Sequence, residues 1–380
     1  MCRSVEELEQ AGPIEIQAIE LARVAVPMLE PFRISSGEVS CKEALLVRFE
    51  NGASFGWGES SAMPGGFYSQ DTPDGCERQL LKVLPFLPGR QFKTMRELEL
   101  YLVDANLSPF VRVALETAAW ELLARQRNLP LGELFGLSRK PVESGLAVGL
   151  YPTLQELRAA LDRYEPRQYS RLKIKIKRGQ DLDLVRAVRD WYGAIPLFVD
   201  ANADYTRTDI ETLRVLDRFH LMMIEQPFAR GDLASSAALQ NQIGTPLCFD
   251  EGIESAADVH EAAKADACRI VNIKLQRVGG FLEALRVAEA CAESRMPFWM
   301  GTMPELGVGS AQALVLATHR GCAYPTDVEP SARWYTGDIL HPELCLRGNR
   351  LEVPHGPGLG FAIDQAAIGR YETAHWSFTA

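Results

Sequence analysis

Five charged residues recur through the middle of this chain at nearly constant intervals. They are Lys175, Asp200, Glu225, Asp250 and Lys274, separated by 25, 25, 25 and 24 residues. Each stands at or near the end of a short apolar run: LKIKI (172–176), PLFVD (196–200), LMMIE (221–225), PLCFD (246–250) and RIVNIKL (269–275). Taken singly, each has a plain structural explanation. A strand-end Asp is usually a helix cap or a turn residue, and alternating Lys and Ile reads as a half-exposed strand with a solvated lysine face. Capping does not account for five charged residues on five consecutive runs at one spacing.

The chemistry such a set could do follows from the residue types. Three carboxylates crowded together repel, and burial raises their pKa values unless a cation neutralises them. Oxygen ligands on rigid strands suit Mg²⁺ or Mn²⁺ better than zinc. A hydrogen on the carbon beside a carboxylate is very weakly acidic, because its removal places further charge on the carboxylate oxygens. A metal at those oxygens stabilises the enediolate, and a lysine made neutral by a nearby cation such as Lys173 serves as the base.

An interval near 25 residues is one strand, one helix and two loops, so each charged residue occupies the same level on successive strands. GLAVGL (145–150) precedes the series, and PFWMG (297–301) and a weaker run from Cys322 to Val328 follow it. Eight runs alternating with amphipathic helical stretches make the pattern of an α/β (β/α) barrel, whose active sites lie at the C-terminal mouth of the strands. Asp200, Glu225 and Asp250 then fall on the third, fourth and fifth strands. Lys175 and Lys274 fall on the second and sixth, opposite one another, one for each face of a bound substrate.

Before the barrel, the pattern is different. Ile14–Val26 and Ala44–Phe49 carry strand-like content, and Asn51-Gly52 is a hairpin signal before Ser54–Gly58. Val111–Gln126 has helical spacing, with Ser108-Pro109 as its start. Residues 1–135 are therefore expected to form an α+β capping domain, residues 136–340 the barrel, and residues 341–380 a tail that packs back on the cap.

Composition bounds the partners. The chain has 380 residues, 47% hydrophobic and 24% charged, with a formal charge of −10. That balance offers no general field for nucleic acid or an anionic membrane, and no apolar run approaches the ~20 residues that span a bilayer. The eight cysteines are scattered without a CxxC pair, as expected of buried, reduced thiols. A cytoplasmic homo-oligomer acting on a small-molecule carboxylate is expected.

Lys173-Ile174-Lys175, the VDAN of 199–202, the IEQP of 224–227, the DEG of 250–252 and the NIK of 272–274 resemble signatures of the enolase superfamily, in its muconate-lactonising-enzyme branch. The likeness runs from EPFRISSG near residue 30 to VPHGPGLG near residue 360. It implies Mg²⁺ on Asp200, Glu225 and Asp250, and an acid/base pair in Lys175 and Lys274. It also places Lys173, Asn202, Glu251, Gly301, Met303 and Glu305 around the metal or the substrate. GWGESSAMPGGFYS (56–69), MGTMPELGVG (300–309) and YPTDVEPSARWY (324–335) are similar to loops of o-succinylbenzoate synthases and N-succinylamino-acid racemases. The first group implies a dehydration in menaquinone formation, the second a racemisation. Another cycloisomerisation or epimerisation uses the same site, and a binding protein on a dead enzyme fold is disfavoured by the intact five-residue set. The Asp327-Val328-Glu329 stretch departs from the Asp-x-Asp of dipeptide epimerases, and Thr302 and Leu306 depart from the synthase pattern.

Overall fold

Two long antiparallel strands, β1 (Ala18–Ile34) and β2 (Gly37–Asn51), and a shorter third, β3 (Ser54–Ser60), form the first sheet. The structure, a computed structural model, describes residues 2–34, 37–66 and 68–380. Ser35 and Ser36 of EPFRISSG and Phe67 of the 56–69 motif lie outside the described residues. The expected hairpin joins β2 to β3, with Asn51 opposite Ser54 and Gly52 at φ 57° supplying the left-handed residue of the turn. The stretch read as one strand from Ile14 is divided: Ile14–Ile16 pairs separately with Arg90–Phe92.

Helices α1 (Pro73–Val83), α2 (Met95–Asp104) and α3 (Pro109–Gln126) accompany this sheet, and α3 begins at the expected proline. It lies directly on β3. A Cβ at Gly58 would stand 1.8 Å from the Ala114 carbonyl oxygen, so only glycine permits the approach. The last strand, Glu372–Thr379, returns to pair antiparallel with β1, with Trp376 opposite Leu21.

Seven parallel strands follow in sequence order: β4 (Leu146–Val148), β5 (Leu172–Lys175), β6 (Leu197–Asp200), β7 (Ile224–Glu225), β8 (Leu247–Phe249), β9 (Ile270–Ile273) and β10 (Phe298–Met300). Every residue of these strands is buried, as expected where helices cover the outside and side chains fill the inside. Between them run α4 (Leu154–Tyr164), α5 (Leu182–Tyr192), α6 (Ile210–Leu216), α7 (Leu233–Gln240), α8 (Ala256–Lys264), a short α9 (Leu275–Val278), α10 (Phe281–Glu293) and, after β10, α11 (Gly307–Ala317). The α5 helix buries Leu184, Val185, Val188 and Tyr192, one stripe at helical spacing. Phe198, Met223, Cys248, Ile270 and Trp299 fill the barrel below its mouth.

The eighth run differs from the expectation. Residues 322–328 form no ladder. They make single parallel bridges, Cys322 to Phe298 on one side and Thr326 to Ser144 on the other. Pro325 lacks the N–H a ladder needs, yet Asp327 N–H donates to the Met300 carbonyl and Thr326 N–H to that of Glu143. The segment closes the ring between β10 and β4 without being a regular strand. All eight cysteines are free, and the expectation that they are buried holds for Cys76, Cys248, Cys268 and Cys291. Cys2, Cys41 and Cys322 are half-buried and Cys345 is exposed.

Candidate active site

Alternation along β5 builds the site from the barrel floor upward. Leu172 and Ile174 join the main core, while Arg171, Lys173 and Lys175 share the opposite side-chain direction. The buried Arg171 guanidinium stacks 4.8 Å from the Phe198 ring and 5.4 Å from that of Trp299. It pairs with Asp327 Oδ1. Lys173 takes the other oxygen of Asp327 and reaches Glu225 Oε2 at 3.4 Å. Burial opposes the charge on Lys173, but Asp327, Glu225 and Asp200 outweigh it and hold its pKa above the usual lysine range. Burial likewise opposes the charge on Asp327, and Lys173 and Arg171 bring it down to about 2. Lys173 is a fixed cation.

Lys175 stands at the mouth, donating to Asp200 Oδ2 at 2.5 Å and to Asn202 Oδ1 at 2.7 Å. The Asn202 amide in turn donates to Glu251 Oε1 at 2.9 Å, so the pair sets the direction of the Lys175 ammonium. Asn202 holds φ 41°, a left-handed position that Asn tolerates. Lys274, just past β9, donates to Asp250 Oδ2 at 2.8 Å and to the Tyr68 hydroxyl at 3.3 Å. Burial opposes its charge, but Asp250 dominates and holds its pKa well above the usual range.

Strand register puts Asp200 beside both Lys175 and Glu225. Asp200, Glu225 and Asp250 are all buried. Burial and then Asp200 push Glu225 up to about 8, against the pull of Lys173. For Asp250, Lys274 and Arg277 overcome burial and hold it below the usual carboxylate range. Among the described residues, no three acidic, histidine or cysteine side chains converge into a ready cation cage. Each of the three carboxylates is instead turned onto nitrogen: Asp200 onto Lys175, Glu225 onto the Asn272 amide at 2.6 Å, and Asp250 onto Lys274 and Arg277. The donor chemistry nonetheless fits a hard divalent cation. Three oxygen donors stand on adjacent strands, and one is a carboxylate that burial and its acidic neighbour leave short of positive charge.

The remaining expected residues surround this centre. Gly301 is glycine because a Cβ there would meet Asn272 Oδ1 at 2.2 Å, displacing the amide that holds Glu225. Met303 and Glu305 line the pocket above the lysines, with Met303 N–H donating to Glu305 Oε1 at 3.0 Å. Several contributors escaped the sequence reading. Asn272 was legible by alternation, two residues before Lys274 on one strand, and Arg277 by its one-turn spacing from Lys274. Gln226, whose Oε1 accepts from the Asp250 and Gly252 N–H groups, lay inside IEQP. Tyr68, from the cap, lay inside the 56–69 motif, but nothing local tied it to Lys274.

Comparison with known proteins agrees with this architecture. Residues 18–136 match the family model "Mandelate racemase / muconate lactonizing enzyme, N-terminal domain", and residues 155–367 match "Enolase C-terminal domain-like". The chain belongs to the enolase superfamily. Within it, the chain is 37% identical to an o-succinylbenzoate synthase of Geobacillus kaustophilus, over 94% of this chain and 96% of that one. It is 39% identical to an N-succinylamino acid racemase of Amycolatopsis sp, over 95% and 98%. A solved enolase-superfamily structure from Listeria innocua superposes with a TM-score of 0.90 at 32% identity, covering 96% of this chain and 99% of that one.

Proposed function

We propose that this enzyme removes a proton from the carbon beside a substrate carboxylate, and that its main reaction is the dehydration carried out by o-succinylbenzoate synthases. The observation that carries the reading is the pair of mouth lysines. Lys175 and Lys274 stand on the second and sixth strands of the series, each hydrogen-bonded to a strand-end carboxylate. Asp200, Glu225 and Asp250 would hold Mg²⁺, or Mn²⁺, which supplies electrostatic stabilisation to the charge growing on the carboxylate oxygens.

Lys175, as the neutral amine, takes the α-proton and becomes an ammonium. The electron pair of the C–H bond passes into the enediolate. Its collapse breaks the bond to the β-hydroxyl, and Lys175 returns its proton to that group, which leaves as water. Asn202 and Glu251 orient Lys175 throughout. Lys274, held cationic by Asp250, faces the developing anion from the other side. An assay for loss of water from the cyclohexadiene carboxylate tests this, and a protein that neither dehydrates it nor exchanges an α-hydrogen would refute it.

Racemisation of N-succinylamino acids is a second reading, supported by the likeness to the Amycolatopsis racemase and by two lysines able to serve opposite faces. Epimerisation of dipeptides is less well supported, since both oxygens of Asp327 are engaged by Arg171 and Lys173. The domain division at 1–135, 136–340 and 341–380, a cytoplasmic location, a homo-oligomer and a place in menaquinone formation belong to the same proposal. Among the described residues, no helix is long and apolar enough to cross a membrane.

A further inference from the structure

Three polar atoms of the pocket's outer wall have no hydrogen-bond partner among the described residues: Glu305 Oε2, Glu329 Oε2 and Tyr335 Oη. Their residues are buried, at 5, 3 and 2% exposure. Each glutamate is anchored by its other oxygen, Glu305 by the Met303 N–H and Glu329 by the Ala147 N–H at 2.9 Å. The side chains are therefore fixed while one oxygen of each accepts no hydrogen bond, that of Glu329 having only the Arg333 guanidinium beside it. A buried polar atom left unpartnered in an otherwise paired site points to a ligand that completes it.

We propose that Glu305, Glu329 and Tyr335 receive a second carboxylate, at the end of the substrate away from the reacting carbon, through O–H groups of the phenol and of the glutamates' acid forms. The inference rests on the proposed function, whose product, o-succinylbenzoate, carries one carboxylate on the ring and a second at the end of the succinyl chain. Burial favours acid forms in this wall, against the pull of the nearby cations. Glu59 and then Lys42 and Lys274 face Glu305. Arg333, at 3.7 Å, Asp327 and Arg171 face Glu329. Tyr335 is faced by Glu59, Asp338 and both glutamates. Burial, joined for Glu305 by the like charge of Glu59, brings Glu305 up to about 8, and burial brings Glu329 up to about 7. An O–H donor meeting a carboxylate makes a short, charge-assisted bond, and the bound carboxylate then holds the glutamate proton in place.

The sign of the linkage follows. Binding raises both glutamate pKa values, so the complex takes up one proton for each glutamate ionised in the free enzyme, and affinity is greatest below both free-enzyme values and falls above them. Calorimetric titration of the Mg²⁺-loaded enzyme with o-succinylbenzoate, and with its analogue bearing a primary amide at the far end, isolates that end. From about pH 6 to about pH 9, affinity for the dicarboxylate should fall, first towards about tenfold and at the alkaline end towards about a hundredfold per unit, with uptake of one and then two protons. The amide analogue should stay flat. Glu329→Gln, which donates N–H without titrating, should reduce the alkaline fall to the roughly tenfold per unit that Glu305 alone contributes, and Tyr335→Phe should weaken the dicarboxylate several-fold throughout. Equal, pH-flat affinities for the two ligands in the parent enzyme would overturn the receptor whatever the variants do. Dehydration with such flat binding would refute the receptor alone, and pH-linked binding without dehydration would refute the reaction alone.

Discussion

Lys173 and Lys175, two residues apart on β5, approach the same oxygen of Asp200. The ammonium of Lys175 lies 2.5 Å and that of Lys173 3.7 Å from Oδ2. One carboxylate thus stands between a fixed cation and the candidate base. Asp200 would lend its charge to a bound divalent cation, so the same carboxylate joins the candidate metal site to both lysines.

Metal dependence is the first consequence. A chelator should abolish turnover, and Mg²⁺ or Mn²⁺ should restore it. Glu225→Gln removes a ligand charge with little change of volume, so it should weaken calorimetric Mn²⁺ binding at least about tenfold, as lost ligand charge weakens a site. Its melting temperature should not fall, because Glu225 is already held up at about 8 by burial and Asp200. Parental Mn²⁺ affinity in this variant would remove Glu225 from the ligand set.

The two lysines should separate by reaction. Lys175→Ala should lower dehydration by at least about 10³-fold, the combined loss of proton transfer and charge. Lys274→Arg keeps a cation and should retain measurable dehydration, although the bulkier guanidinium shifts the substrate. With an N-succinylamino acid in deuterated water, each single-lysine variant should exchange the α-hydrogen of one enantiomer only. Unchanged dehydration in Lys175→Ala would remove it as the base.

The parts of this site that the sequence made legible are those fixed by period. One charged residue per strand, at one level, survives as spacing however the loops vary, so the level shared by Lys175, Asp200, Glu225, Asp250 and Lys274 is legible from spacing alone. Contacts joining distant segments leave no such trace. Tyr68 reaches Lys274 from the cap across 206 residues, and Asp327 meets Lys173 across 154. The closing segment misled for another reason. Its apolar content reads as a strand, but Pro325 and the inward pull of Arg171 on Asp327 replace the ladder with single bridges.

The barrel-floor ladder of Arg171, Asp327 and Lys173 should be costly to break. The three side chains are at most 5% exposed, and removing the shared carboxylate leaves the buried Arg171 without its ion-pair partner and Lys173 with only the more distant Glu225 and Asp200. Asp327→Asn should therefore lose roughly 3–5 kcal/mol in urea unfolding. A loss under about 1 kcal/mol would mean that water or another group already compensates the pair.

Lys42 makes a pH-dependent prediction. It lies on β2, fully buried, and its ammonium has no hydrogen-bond partner among the described residues. Burial lowers its pKa from 10.5 to about 8, despite the attraction of Glu59 and Glu305. A base whose pKa is depressed on folding contributes no penalty above its unfolded value. As pH falls from there through about 8, the unfolded chain binds the proton more readily, and the folded state loses about 1.4 kcal/mol per unit. Below about 8 the cost is constant. Lys42→Met should thus be more stable than the parent by up to roughly 3 kcal/mol near neutral pH, and the advantage should shrink as pH rises towards the unfolded value. Removing this cation also makes Glu305 harder to ionise, which costs the variant as pH rises and acts in the same direction. Urea denaturation of both proteins between about pH 7 and about pH 9.5 checks the slope. Parallel stability curves would show that folded Lys42 keeps its proton throughout that range, as a solvated lysine does.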